Sequence, residues 1–133
     1  MAADKKILVL DNDPVGIELL KKSAERADPD CRVEDVATVE EAIGRLQKDS
    51  YALIVLEGPF SYMRATGLYD DLKPFVKEGT RVLVLSSDPR AEAEGEWLKA
   101  GVDDALHAPI MFDPFIREVS AAVRDNLRKA SEP

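Results

Sequence analysis

Three unbroken apolar runs set the frame of the chain: Ile7-Leu8-Val9-Leu10, Ala52-Leu53-Ile54-Val55-Leu56 and Val82-Leu83-Val84-Leu85. With no polar residue alternating, neither side of such a run can face water, so each predicts a strand covered on both faces of a parallel sheet. Arg32 to Ala37 is short and half apolar, as expected of an edge strand, and Ala105-Leu106-His107-Ala108 predicts a brief last strand. The stretches between change to helical spacing. Ile17, Leu20, Ala24 and Ala27 mark a first helix running from Pro14 to about Asp28-Pro29. Thr38-Val39-Glu40-Glu41 matches a capping box and starts a second helix carrying Ala42, Ile43 and Leu46.

Leu68, Leu72, Phe75 and Val76 predict a third helix ending at Gly79, but Pro74 falls among them. An interior proline costs about 3 kcal/mol, so this helix begins late or kinks there. A fourth, weakened in its middle by Gly95, carries Trp97 and Leu98 and stops at Gly101. Asp113-Pro114 opens a long fifth helix with a stripe of Ile116, Val119, Val123 and Leu127. Residues 58–67 have no period and include Phe60, Tyr62 and Met63, which predicts a loop over the ligand crevice. Five strands alternating with five helices give an α/β, doubly wound parallel sheet: one domain over 1–127 and a polar tail at 128–133. Asp-Pro pairs follow three of the strands, at Asp13-Pro14, Asp88-Pro89 and Asp113-Pro114, and helix capping explains all three.

Composition narrows the function. A formal net charge of -8 with dispersed cations repels a phosphate backbone, so nucleic acid is excluded as a direct partner. Cys31 is the single cysteine and reads as a small apolar strand residue, which favours a reduced, cytoplasmic setting without disulfides or a cysteine metal site. No stretch has the apolar length of a membrane helix.

The residues just past the interior strands converge on one crevice in such a sheet: Asp11-Asn12-Asp13, Glu57, Ser86-Ser87 and Ala108-Pro109. Together with Ala100-Gly101-Val102-Asp103-Asp104, they resemble the receiver domains of two-component response regulators over essentially the whole chain. The resemblance implies a flavodoxin-like five-stranded sheet of order 2-1-3-4-5. It also implies a magnesium site of two acids, a phosphoacceptor aspartate, a hydroxyl and a lysine preceding a proline, with a cis bond at Ala108-Pro109. In this chain the first acid is Asp11, but Asn12 stands at the second position, Glu57 at the acceptor, Ser86 at the hydroxyl and Ala108 at the lysine. Ala105 occupies the place of an aromatic switch residue.

These departures weaken ordinary phosphotransfer. Magnesium prefers carboxylate and water oxygen, so a site of Asp11, Asn12 and Glu57 binds it less well, and no cofactor is required. Glu57 is one methylene longer than aspartate, and no lysine neutralises developing charge. Two carboxylates roughly 5 Å apart repel by about 3 kcal/mol at an effective dielectric near 20, so Asp11 and Glu57 are expected to raise one pKa.

The reading that follows is a non-enzymatic pseudo-receiver acting through protein association: with a histidine kinase, another regulator or a second copy of itself. Glu57 either imitates a phosphorylated aspartate or marks a site that lost its function. The resemblance puts the partner face on helix four, strand five and helix five, around Trp97, Ala105 and His107; Trp97 itself reads as a core or half-buried anchor, and His107 as a structural residue. Two alternatives are a metal-dependent acceptor still working with Glu57 and a receiver fragment of a longer regulator. A flavodoxin-type flavin or nucleotide binder fits poorly, because Asp11 and Asp13 stand where a phosphate cradle is needed. Serine hydrolase chemistry lacks a nucleophile elbow.

Overall fold

The computed structural model describes residues 5–58, 67–88 and 91–132. Their elements are β1 (Lys6–Leu10), α1 (Pro14–Ala27), β2 (Arg32–Val36), α2 (Val39–Lys48), β3 (Leu53–Gly58) and α3 (Leu68–Leu72), which passes into a 3-10 turn (Lys73–Phe75). Then come β4 (Arg81–Ser86), α4 (Ala93–Ala100), β5 (Asp104–His107) and α5 (Phe112–Ala130). All strand pairs are parallel, in the order β2-β1-β3-β4-β5.

The unalternated apolar runs are explained by two cores. Leu8, Leu10, Ile54, Leu56, Val82 and Val84 face one side, under Ala42 and Leu46 of α2, Tyr69 and Leu72 of α3 and Trp97 of α4. Ile7, Val9, Leu53, Val55, Leu83 and Leu85 face the other, under Leu20 and Ala24 of α1 and Phe115, Val119, Val123 and Leu127 of α5. No described helix is long and apolar enough to cross a membrane.

Several boundaries differ from the sequence reading. Around Pro74, the helix starts at Leu68 and tightens to 3-10 geometry at Lys73, since proline offers no N–H for a further α-type bond. Gly79, with φ +92°, serves the turn before β4 rather than the helix end. Only Asp13 of the three Asp-Pro aspartates caps a helix, accepting from the Val15 N–H. Asp113 lies inside α5, whose cap is Met111; Pro114 fits the first turn because its missing N–H has no intrahelical acceptor there. α4 begins at Ala93, past Asp88, while Pro89 and the Phe60, Tyr62 and Met63 loop lie outside the described residues. α5 continues beyond Leu127 into the segment read as a tail. No described peptide bond is cis, so Ala108-Pro109 is trans, the form an X-Pro bond prefers intrinsically.

Candidate functional site

The site grows from the ends of β1 and β3. Leu10 lies opposite Leu56 in the ladder, so the next residue of each strand, Asp11 and Glu57, emerges side by side at the C-terminal edge. Asp11 is held on two sides: its N–H donates to the Val36 carbonyl (3.0 Å), and its Oδ1 accepts the Asp13 N–H (3.0 Å). Asp13 in turn accepts from Val15 at the start of α1 (3.1 Å). The chain that caps the helix thereby fixes the buried carboxylate.

Against this pair lies Gly16, buried in the first turns of α1. A Cβ built there would stand 2.7 Å from Asp11 Oδ2 and 3.5 Å from both Glu57 oxygens, so the two carboxyls rest together on bare helix backbone. Asp11 Oδ2 and Glu57 Oε1 are buried without a hydrogen-bond partner among the described residues. Two ionised carboxylates cannot bond each other, but a single proton satisfies both. Burial pushes the Glu57 carboxyl up to about 8, and the proton it can share with Asp11 and the charges of Asp11 and Asp13 act in the same direction. The raised pKa expected from the sequence thus belongs to Glu57, with burial ahead of repulsion as its cause.

The described residues place no third Asp, Glu, His or Cys with this pair as a metal-ligating group, and Asn12 is exposed. Ser86 is buried on the adjoining strand, opposite Gly58, with its Oγ accepting the Asp88 N–H (3.0 Å). Ala108 is half-buried, its N–H donates to the Ser86 carbonyl (3.0 Å), and its uncharged side chain packs against the core under α1 and α5.

The residues named for a partner face are dispersed in their surroundings. Trp97 is 1% exposed, packed edge-on against Tyr69 in the core. Ala105 is half-buried opposite Val84. His107 is exposed and its N–H donates to Glu94 (2.8 Å). Gly16 was missed by the sequence reading, although a glycine in a helix interior just after Asp-Asn-Asp-Pro is itself a signal of close approach.

No family model matches the chain. No curated protein matches it either. Solved structures do. A response regulator from Hahella chejuensis superposes with a TM-score of 0.76 at 19% identity, over 96% of this chain and 98% of that one. A two-component response regulator from Clostridium difficile gives 0.71 at 22%, over 96% and 98%. The pilus assembly protein CpaE from Caulobacter crescentus gives 0.68 at 23%, over 88% and 92%. At these identities the likeness carries the fold, which is the receiver architecture, and the chain spans nearly the full length of each of these neighbours.

Proposed function

We propose that the chain is a receiver-fold signalling module of the two-component type that works by binding another protein and does not take a phosphoryl group in the ordinary way. One observation supports the reading: at the acceptor position, half-buried Glu57 has its Oε1 buried without a partner among the described residues, beside Asp11, and that burial raises the carboxyl's pKa to about 8, which favours the protonated form at neutral pH. A protonated carboxylic acid is a poor nucleophile. Ala108, where the resemblance expects a lysine, supplies no charge to a transferring phosphoryl group. The same proton argues against Glu57 as a phosphoaspartate mimic, since a neutral carboxyl presents neither the charge nor the three oxygens of a phosphoryl group. Output then depends on a surface that a partner recognises in one state of the fold.

The test is direct. The full chain is incubated with magnesium and acetyl phosphate and its intact mass recorded, while amide NMR spectra are followed through additions of magnesium and beryllofluoride. The expected result is an unmodified mass and cross-peaks of Glu57 and Ser86 that stay in place. A phosphoryl adduct that disappears in Glu57→Gln would restore the acceptor reading and refute this one.

A further inference from the structure

We infer that the cavity at the N-terminal edge of the sheet binds a small organic phosphate of about mononucleotide size. The inference goes beyond the association reading: it concerns the edge opposite the carboxylate pair and gives the module a chemical input that does not pass through Glu57.

The cavity has a volume of about 690 Å³ and lies where the chain enters β1, β3 and β4, between the C-terminal ends of α1 and α5. Sites that take a small organic molecule measure about 300–1,000 Å³. Ala27, Ala52, Leu127 and Ala130 give it an apolar lining, and three of these four are alanines, so small side chains leave the space open.

Charge selects the occupant. The chain has 26 acidic and 18 basic residues, yet the cavity reverses that balance: Lys5, Lys77, Arg124 and Arg128 line it against Asp28 and Glu78. Lys5 pairs with Asp28 (2.8 Å), so those two charges cancel. Lys77 Nζ donates to the Asp49 carbonyl (3.1 Å), a neutral acceptor that leaves its charge in place, and the Asp49 carboxylate is engaged by Lys6 (3.5 Å). Arg124 makes no side-chain hydrogen bond or ion pair among the described residues. Arg128 reaches only exposed Asp125, at 3.7 Å, a pair that water screens. Three cations thus face one lining carboxylate, Glu78, in a protein of net charge -8.

The helix dipole accounts for Arg128, in the last turn of α5. It does not account for Lys77, in the connection before β4, or for Arg124, more than a turn inside the helix. Ammonium and guanidinium groups are the side chains that hold phosphate oxygens, guanidinium with paired N–H donors. Inorganic phosphate would leave the apolar lining and most of the volume unused, whereas a nucleotide-sized ester uses both. Asp11 and Asp13, which disfavour a nucleotide at the opposite edge, take no part in lining this cavity.

The test titrates the isotope-labelled full chain with the four ribonucleoside 5′-monophosphates, the matching nucleosides and inorganic phosphate. At least one nucleotide is expected to shift the amide cross-peaks of Ala52, Gly79, Thr80 and Leu127 and to bind more weakly as salt rises. It should bind about tenfold or more tighter than its nucleoside or inorganic phosphate, and Lys77→Gln/Arg124→Gln should weaken it by about tenfold or more. Both residues are exposed and neither is paired with a carboxylate among the described residues, so that variant should melt with the parent. Lys22→Gln/Lys99→Gln removes the same charge from residues outside the cavity lining and should bind as the parent does, which separates a site from an effect of net charge. Spectra that do not move at these residues with any nucleotide at about 1 mM would overturn the inference. So would binding that ignores Lys77→Gln/Arg124→Gln, or inorganic phosphate bound as tightly as the nucleotide. A phosphoryl adduct on Glu57 bears only on the preceding proposal.

Discussion

Gly16 leaves the space that the Asp11 carboxylate occupies. Glycine inside a helix is about 1 kcal/mol worse than alanine, so its presence in α1 calls for a cause, and the cause is the Asp11 carboxylate 2.7 Å from where a Cβ would stand. Gly16→Ala is therefore expected to destabilise by about 1–3 kcal/mol, because Asp11 is short, tethered to the Asp13 N–H and able to retreat only toward Glu57. The control is Gly44 in α2, where a Cβ meets nothing within 4 Å: Gly44→Ala should stabilise by about 0.5–1 kcal/mol. Chemical denaturation of both variants checks the contrast, and equal effects would remove the close approach as the explanation. Glu57 carries a pH signature. Its pKa rises from 4.5 to about 8 on folding, so between those values only the folded state holds the proton. Stability from this group is complete below that window and falls as pH rises through it, by at most about 1.4 kcal/mol per pH unit. Glu57→Gln keeps a donor toward Asp11 and cannot ionise. Its unfolding midpoint should therefore exceed the parent's at pH 8 and lose this contribution to the slope, as urea titrations at several pH values would show.

At the scale of the element, local chemistry decided which helices could be read. α2 starts where Thr38 and Glu41 satisfy each other: Thr38 Oγ1 accepts the Glu41 N–H (3.2 Å), and Glu41 Oε1 accepts the Thr38 N–H (3.2 Å). That reciprocity is written in four adjacent residues, and Thr38→Ala should cost about 1 kcal/mol by thermal or urea unfolding, with the loss confined to stability. α5 is the opposite case. Asp113-Pro114 has the composition of a start, yet Met111 takes the cap and the first helical hydrogen bond runs from the Phe115 N–H to the Met111 carbonyl. The helix begins earlier than its polar signal because burying Phe115, Val119 and Val123 against β3 and β4 fixes its register, and packing outweighs a single cap. The brief α3 is similarly set by tertiary contact, Tyr69 and Leu72 entering the core beside Trp97, with Pro74 limiting only how it ends.

For the molecule as a whole, strand number, parallel pairing and the convergence of Asp11 and Glu57 were legible because unalternated runs and polar strand ends are periodic, local facts. Two things were not legible. The sequence Ile110-Met111-Phe112 reads the same whether it is covered or bare, since exposure is a property of what the rest of the fold leaves uncovered. Nor does an asparagine on a helix announce long-range partners, yet buried Asn126 closes the fold at the edge opposite the carboxylate pair. Its Oδ1 accepts from Arg81 Nε (2.8 Å) at the start of β4, while its Nδ2 donates to Asp104 Oδ2 (2.8 Å) in β5 and to the Ala122 carbonyl (2.8 Å). One side chain thus ties the C-terminal half of α5 to two neighbouring strands. Asn126→Ala strands the Arg81 donor and the Asp104 acceptor and should cost about 1–3 kcal/mol. Asn126→Asp separates the two bonds. It keeps an acceptor for Arg81 but turns the donor facing Asp104 into a second carboxylate, so at neutral pH it should be no more stable than Asn126→Ala. As pH falls and the introduced carboxyl gains a proton, it can donate to Asp104 again, and the stability gap between this variant and the parent should narrow. A gap that stays constant from about pH 7 to about pH 4, the range over which a carboxyl beside a second one takes up its proton, would mean that the bond to Asp104 contributes nothing and that Arg81 alone anchors the helix.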